Sequence, residues 1–522
     1  MTSLRRLTPA FALLVAAVSL HGQAISIGDH KQLFIDDKFV AGSSGVEWVM
    51  NPPVKHGAVL KGDKSWDKYQ LSSYGTVMED QGKFRLLYGA RLPAPDGQDR
   101  IRGEIMYAES TDGICWDKPN LGICEWQGSK ANNILMEGTL ESAGVFIDPK
   151  AASGQRYKIL GRLHEASARW PNGNAPAGSG LYMYTSPDGL RWTLHPERVL
   201  PFDPDTLNVP LYDERTGKYL AYVRTWKPLR RVGVVEMDDM MRPWPYTHGL
   251  PPRLWPDRPT QVPAPSREVP EAFGPEADDP PNVDFYTSAV VRYPWADDAY
   301  FMFPSAYRHF PEPPGARTND GTLDIQLAVS RDGRKFHRVA RSPYIRLGLR
   351  SERDNSSMYM YIGLLRRNNV LYQYYEGNDF THGSDDNFGG EKHSSVFLVT
   401  QRLDGLVALA AGPAGGSFVT PPLLFHGRRL LLNLDASATG EVEVELQTPE
   451  GRPIGVYDYD SDLGVPRGGF TFAEADPLYF NDTARAVTWR RGDRDVSPFS
   501  GKPVRLAFRL RSAKLYSFQF TP

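Results

Sequence analysis

Cysteine is almost missing from this 522-residue chain, which holds only Cys115 and Cys124. The turn-like 117–122 segment between them leaves both a loop-closing disulfide and two unpaired thiols open, since bonding distance is not legible in a sequence. No paired histidines or further cysteines stand at ligand spacing, so neither a metal site nor a cofactor is expected. An excess of charge is missing too: 60 Lys and Arg face 62 Asp and Glu, for a net of −2. Without a basic field to attract a phosphate backbone, nucleic acid is not an expected partner. Almost no stretch holds the 3.6-residue period of an amphipathic helix, which argues against a helical fold.

Long apolar runs are also lacking, with one exception at the N-terminus. There Arg5 and Arg6 precede an apolar segment from Phe11 to Leu20 and the small residues of Gly22-Gln23-Ala24. This is the order of a secretory signal, and the run is too short to span a bilayer. Residues 1–24 are therefore expected to be a signal peptide cut after Ala24, leaving a periplasmic or extracellular protein with no membrane partner. At this length more than one domain is expected.

What the chain does contain is a repeated turn. Ser110-Thr111-Asp112-Gly113-Ile114-Cys115-Trp116, Ser186-Pro187-Asp188-Gly189-Leu190-Arg191-Trp192 and Ser330-Arg331-Asp332-Gly333-Arg334-Lys335-Phe336 share one pattern, with a weaker copy at Asp404-Gly405. Asp-Gly between strand-like runs is hairpin chemistry. Successive Asp residues stand 76, 144 and 72 residues apart, so one copy has lost its signature, near Val232 to Met241. Five units follow, each of short β-branched and aromatic runs, with a large Pro-rich loop from Trp244 to Asp284. Such a repeat predicts an all-β, five-bladed β-propeller over residues 25–411. After the Gly-rich 412–416 linker, alternating runs such as Val442 to Leu446 predict a C-terminal β-sandwich over 417–522.

With its opening segment Leu33-Phe34-Ile35-Asp36-Asp37, its SxDGxxW turns and its closing sandwich, the chain resembles the five-bladed propeller glycoside hydrolases. These are the clan of families 32, 43 and 68, the arabinanase, levansucrase and invertase superfamily, and family 32 above all. The resemblance covers nearly the whole chain at the level of architecture. It implies a secreted hydrolase acting on glycosidic bonds of a plant or algal oligo- or polysaccharide. Family 32 also carries an Asn-Asp-Pro-Asn-Gly nucleophile motif, an Arg-Asp-Pro motif and a Glu-Cys acid. None of the three occurs in this sequence, so no catalytic residue is carried over.

The site is sought instead from the topology, because a propeller gathers the opening strand of each blade around one funnel. Acids lead three of those strands: Asp205, Asp284 and Asp354, with Asp67 and Glu141 as weaker counterparts. Glycoside hydrolysis needs one carboxylic acid and one carboxylate roughly 5 to 9 Å apart. Asp205 and Asp284 are taken as the central pair. Glu376, among Tyr residues that would desolvate it, is the expected proton donor, and Asp324 a stabilising or sugar-gripping acid. Asn208, Tyr286, His309, Gln326, Arg224, Trp226, Asp354 and His382 are expected to bind substrate. Trp66, Tyr69, Tyr74, Trp170 and Tyr307 offer further flat faces for sugar rings. Two other functions fit the same chain. One is a non-catalytic carbohydrate-binding propeller; the other is a glycoside phosphorylase or transglycosylase, for which Arg224, Arg230 and Arg231 would form a phosphate pocket.

Overall fold

The computed structural model describes residues 24–522 apart from 69, 94–100, 138–143, 164–179, 203, 246–268, 312–318, 384–391, 456–468, 491 and 493–494. The expected signal peptide up to residue 23, Tyr69, Glu141, Trp170 and the middle of the Pro-rich loop lie outside the described residues. Among the described residues the chain is all-β, with four short 3-10 turns and no α-helix, and hence no helix able to cross a membrane.

Four antiparallel four-stranded sheets follow one another in sequence. The first runs Gln70–Asp80, Lys83–Pro93, Ile101–Ser110, Ile134–Met136, and the second Gly144–Ile147, Tyr157–Leu163, Gly180–Ser186, Thr193–Leu200. The third is Val209–Asp213, Lys218–Trp226, Arg230–Met237, Glu271–Phe273, and the fourth Val290–Arg292, Tyr300–Met302, Ala328–Ser330, His337–Arg338. A fifth, eight-stranded sheet joins Val283–Phe285, Ser305–His309 and Gly321–Ile325 to Ser357–Met360, Val370–Asn378, Ser394–Arg402 and the early strand Val54–Lys61, with Leu365–Arg367 beside Val370–Asn378. The unsigned repeat unit thus corresponds to the third sheet, whose third strand is Arg230–Met237.

Strands such as Lys83–Pro93 read as continuous apolar runs because both faces are buried. Leu86 and Tyr88 pack with Tyr374 and Leu398 of the fifth sheet, whereas Leu87 packs with Ile159 and Tyr182 of the second. Separate apolar clusters fill the space between second and third sheets and among third, fourth and fifth. Tyrosine hydroxyls bond each sheet to the next: Tyr157 to Asp80, Tyr219 to Asp148 at 2.9 Å, Tyr300 to Asp213 at 2.6 Å and Tyr293 to Asp404 at 2.7 Å. Tyr374 then joins the fifth sheet to the first through the Gly113 carbonyl at 2.6 Å.

The repeated turn is closed by side chains as well as backbone. Ser110 Oγ accepts the Gly113 N–H at 2.8 Å, and Asp112 Oδ1 accepts those of Ile114 and Cys115 at 2.7 and 2.8 Å. Ser186 with Asp188 and Ser330 with Asp332 repeat these bonds. The carboxylate replaces the ladder as acceptor, an Asx-type arrangement, and the Gly supplies φ of +77°, +77° and +71° in the three copies. Cys115 and Cys124 are not joined to each other by a disulfide.

The C-terminal region holds two larger sheets, beside a parallel pair of Ile25–Gly28 with Leu423–Phe425. One runs Asn481–Ala486, Arg429–Asp435, Ala513–Thr521, Val407–Ala411, Val46–Met50, with Gln32–Leu33 beside Ala513–Thr521; the other runs Gly42–Ser44, Gly416–Val419, Arg505–Arg511, Glu441–Gln447. Phe34, Phe418, Leu432, Phe508 and Phe518 share one core between them. Residues 32–50 of the sequence, grouped above with the repeats, therefore pair in space with C-terminal strands, because Phe34 and its neighbours complete that core.

Candidate active site

Polar side chains from several sheets meet around Tyr286, just beyond Val283–Phe285. Asp205 precedes the opening strand of the third sheet in a left-handed conformation, φ +52°, a strained state that local contacts must hold. Its carboxylate lies 3.4 Å from Arg162 and 3.5 Å from Arg224, guanidinium groups on the second strands of the second and third sheets. Arg224 also donates to the Asp205 carbonyl at 2.5 Å and to the Tyr286 carbonyl at 2.7 Å, while its guanidinium sits 4.1 Å above the Tyr286 ring. Trp226 flanks the same guanidinium at 5.7 Å. Asp205 retains 29% side-chain exposure, so it can meet a ligand.

Asp284 lies on the other side of Tyr286 and is buried. Arg230 holds its Oδ2 at 3.0 Å through the side chain and 3.2 Å through the backbone N–H, and His309 Nε2 lies 3.2 Å from Oδ1. The His309 contact is an ion-pair distance off the line of a good hydrogen bond. Burial opposes the charge on Asp284, but His309 and Arg230 outweigh it, and its pKa lies below the usual carboxylate range. His309 is oriented by Asn319 at 2.9 Å and rests on the Tyr307 ring.

His382 touches Tyr286 at 4.3 Å between ring centroids and bonds the Tyr359 hydroxyl at 2.5 Å. Burial, followed by the charges of Arg230, Arg224 and Arg91, pushes its pKa down to about 3, so it is a neutral imidazole near pH 7. Tyr359 stands opposite Glu376 in the ladder, which places both side chains on one face. Glu376 is fully buried; Asn378 donates to Oε1 at 3.0 Å and Oε2 has no hydrogen-bond partner among the described residues. Burial pushes its pKa up to about 8 against the Asn378 bond and the Arg91 charge. Tyr74, from the first sheet, meets Tyr286 and feels Arg224 and Asp205, and burial raises its hydroxyl far above its ordinary value.

The structure thus assembles Asp205, Asp284, Glu376, Tyr286, His309, Arg224, Trp226 and His382. Four expected residues are not brought to this cluster. Asp324 follows Leu323, which shares a face with Tyr307 and Tyr359; strand alternation turns Asp324 to the opposite face. There it is pushed up to about 7 by burial, opposed by Gln326. Gln326 is tied to Arg338 at 2.9 Å and the Arg341 carbonyl at 3.3 Å. Asp354 accepts from Lys55 at 2.7 Å and from Tyr375 at 2.6 Å, and Tyr375 alternates with Glu376, so this acid lines a separate cleft with Arg353, His393 and Phe397. Asn208 is fully buried and donates to the Thr206 carbonyl at 2.8 Å, bracing the turn that carries Asp205.

Arg91, Arg162 and Tyr359 went unnoticed in the sequence. A signal for one of them exists: Tyr157-Lys158-Ile159-Leu160-Gly161-Arg162 matches Tyr219-Leu220-Ala221-Tyr222-Val223-Arg224. The tyrosine of each anchors the strand to the preceding sheet and the arginine ends it at Asp205. Among the described residues no group of three or more His, Cys, Asp or Glu is placed to hold a metal.

No family model matches the chain. Two uncharacterized proteins of Mycobacterium tuberculosis, from strains CDC 1551 / Oshkosh and ATCC 25618 / H37Rv, are each 27% identical over 163 residues, 30% of this chain. The match spans about half, 47%, of the length of these curated relatives. Among solved structures, a glycoside hydrolase is 15% identical, covering 67% of this chain and 92% of its own, with a TM-score of 0.42. An N-acetylgalactosamine deacetylase from F. plautii in complex with blood group B trisaccharide is 11% identical, covering 69% and 96%, also at 0.42. At such values the functional reading rests on the site.

Proposed function

We propose that this chain is an exported glycoside hydrolase, its five repeat sheets forming the blades of a propeller braced by a C-terminal sandwich, with catalysis around Tyr286. The observation that carries this reading is the contrast between the environments of two carboxylates beside Tyr286 and of Glu376, whose ladder partner Tyr359 packs against Tyr286 and His382. Asp205 and Asp284 are each held by guanidinium groups beside Tyr286, whereas Glu376 is kept protonated by burial. Environments that push acidities apart are how one site obtains an acid and a carboxylate at the same pH.

In this reading Glu376 protonates the leaving glycosidic oxygen. Asp205, the exposed acid, acts as nucleophile or water-activating base. Asp284 positions His309 and Arg230, and neutral His382 orients sugar hydroxyls. A binding protein without catalysis needs aromatic faces but no such division of protonation states.

Hydrolysis of aryl glycosides and polysaccharides by the wild type, Asp205→Asn, Asp284→Asn and Glu376→Gln tests the proposal. Losses in kcat of about 10²–10⁴ are expected for Asp205→Asn and Glu376→Gln. Full activity in both Asp variants would remove the site assignment.

A further inference from the structure

The strand Gly321–Ile325 is entered through Asn319 and Asp320, and this short stretch reaches both histidines of the cluster. Asn319 Oδ1 lies 2.9 Å from His309 Nδ1 and accepts the Tyr307 hydroxyl at 3.3 Å. Asp320 is buried, and its carboxylate is turned to the segment that carries His382. Oδ2 accepts the Thr381 hydroxyl at 2.8 Å, and Oδ1 accepts the Gly383 N–H at 2.8 Å together with the Gly321 N–H at 2.7 Å. The His382 N–H donates to the Gly321 carbonyl at 3.2 Å. Residues 381, 382 and 383 are thus each tied to Asp320 or Gly321.

These bonds lie across a close approach of two backbones. A Cβ added to Gly383 would stand 2.0 Å from the Asn319 carbonyl oxygen, and one added to Gly321 would stand 1.9 Å from that of Arg308. From the other side Ser357 Oγ donates to the Phe380 carbonyl at 2.9 Å. The segment delivers the His382 ring to one place, 4.3 Å from the Tyr286 ring and 5.1 Å from that of Tyr307, with Nδ1 2.5 Å from the Tyr359 hydroxyl. Removing the Asp320 carboxylate would leave two backbone N–H groups and a buried hydroxyl without their acceptor. Buried donors in that state cost more than the bonds contribute net, so the segment is driven to move.

We propose that Asp320 is a positioning residue of the site: by clamping residues 381–383 to the start of Gly321–Ile325 it seats the His382 ring on Tyr286. Its consequence for catalysis rests on the glycosidase reading above, in which His382 orients sugar hydroxyls. The seating itself depends on no ligand.

Nuclear magnetic resonance of the full chain carrying isotope-labelled histidine tests this, the His382 signal being assigned by its loss in His382→Ala. Burial, then the charges of Arg230, Arg224, Arg91 and His309, holds the seated ring at a pKa of about 3, so the wild-type signal should stay fixed between about pH 5 and pH 8. Asp320→Ala should release the ring and bring its titration into that window, toward the ordinary value of about 6.5. Gly383→Ala, which drives a Cβ against the Asn319 carbonyl, should do the same by a different route. In Asp320→Asn the amide oxygen still accepts both glycine N–H groups and the amide nitrogen donates to Thr381, so the signal should stay fixed. A role in stability alone would lower Tm and leave the His382 signal where it was. The proposal is overturned by a wild-type His382 that titrates near the ordinary value. It is equally overturned by a signal that stays fixed in folded Asp320→Ala, or in Gly383→Ala where Asp320→Ala does not fold. Release in Asp320→Asn as complete as in Asp320→Ala would overturn it too, since charge and not the acceptors would then hold the segment. In hydrolysis of aryl glycosides, Asp320→Ala should lower kcat/KM by up to about 10²-fold, and adding it to His382→Ala should lower kcat/KM no further than His382→Ala alone; additive losses would refute the route through His382. No cleavage of any glycoside by the wild type would remove the hydrolase reading and leave the seating result standing. Cleavage by the wild type with a fixed His382 signal in folded Asp320→Ala would do the reverse.

Discussion

Glu376 and Asp284 are carboxyl groups linked through Tyr359, His382 and Tyr286, yet they are held in opposite states. Burial keeps Glu376 protonated up to about pH 8, while the His309 contact and the Arg230 charge keep Asp284 ionised. If Glu376 is the proton donor, kcat/KM should fall on the alkaline side with an apparent pKa of about 8. A pH–rate profile of Glu376→Gln should lack that limb. The same shift has a consequence for stability. An acid whose pKa is raised on folding stabilises the native state fully below its unfolded pKa, and that contribution is lost as pH rises through the folded value. Wild-type Tm should therefore decline between about pH 5 and pH 8 more steeply than that of Glu376→Gln, as thermal unfolding would show. Asp284 works in the opposite sense, contributing above the ordinary carboxylate range and losing its contribution as pH falls below it. Asp205, Asp284 and Glu376 were singled out as acids near the ends of strand-like runs, and they fall just before or within Val209–Asp213, Val283–Phe285 and Val370–Asn378. Asp324 and Asp354 satisfy the same rule and still miss the cluster, since one step along a strand reverses the face.

At the scale of the element, the Ser-x-Asp-Gly turns are self-contained units whose bonds lie within seven residues, and this is why they could be read directly. Their second role could not: each turn is also a contact between sheets. Tyr374 reaches the Gly113 carbonyl, Tyr222 that of Gly333 at 2.7 Å, and Arg85 that of Asp188 at 2.6 Å. Gly113 has φ +77°, and an added Cβ would lie 2.6 Å from the Tyr374 hydroxyl, whereas Gly82 has φ +75° with nothing within 4 Å. Gly113→Ala should lower stability by about 2–3 kcal/mol, against about 1–2 kcal/mol for Gly82→Ala, the backbone cost alone. Urea unfolding of the two variants makes the comparison. The weak fourth copy became something else: Asp404 itself takes φ +62° and turns its carboxylate inward.

That carboxylate joins distant parts of the whole molecule. Asp404 is buried and accepts from Tyr293 at 2.7 Å, Ser517 at 2.8 Å and Asn433 at 3.0 Å, and pairs with Lys31 at 2.8 Å. The fourth sheet, two C-terminal strands and the start of the described chain thus meet at one group. Asp404→Ala should cost about 3–5 kcal/mol, the usual range for removing one partner of a buried network. Asp404→Asn, which keeps an acceptor and tolerates the left-handed backbone, should cost less; calorimetric unfolding of both variants checks the order. Sequence by itself determined the all-β character and the turn chemistry, because strand alternation and Asx turns depend on neighbours a few residues away. Only tertiary structure decided that residues 32–50 complete the C-terminal core, that Val54–Lys61 pairs with Ser394–Arg402 in the fifth sheet, and that Arg162 and Tyr359 join the cluster around Tyr286. Those pairings depend on which side chains come into contact across hundreds of residues, and no local spacing encodes that.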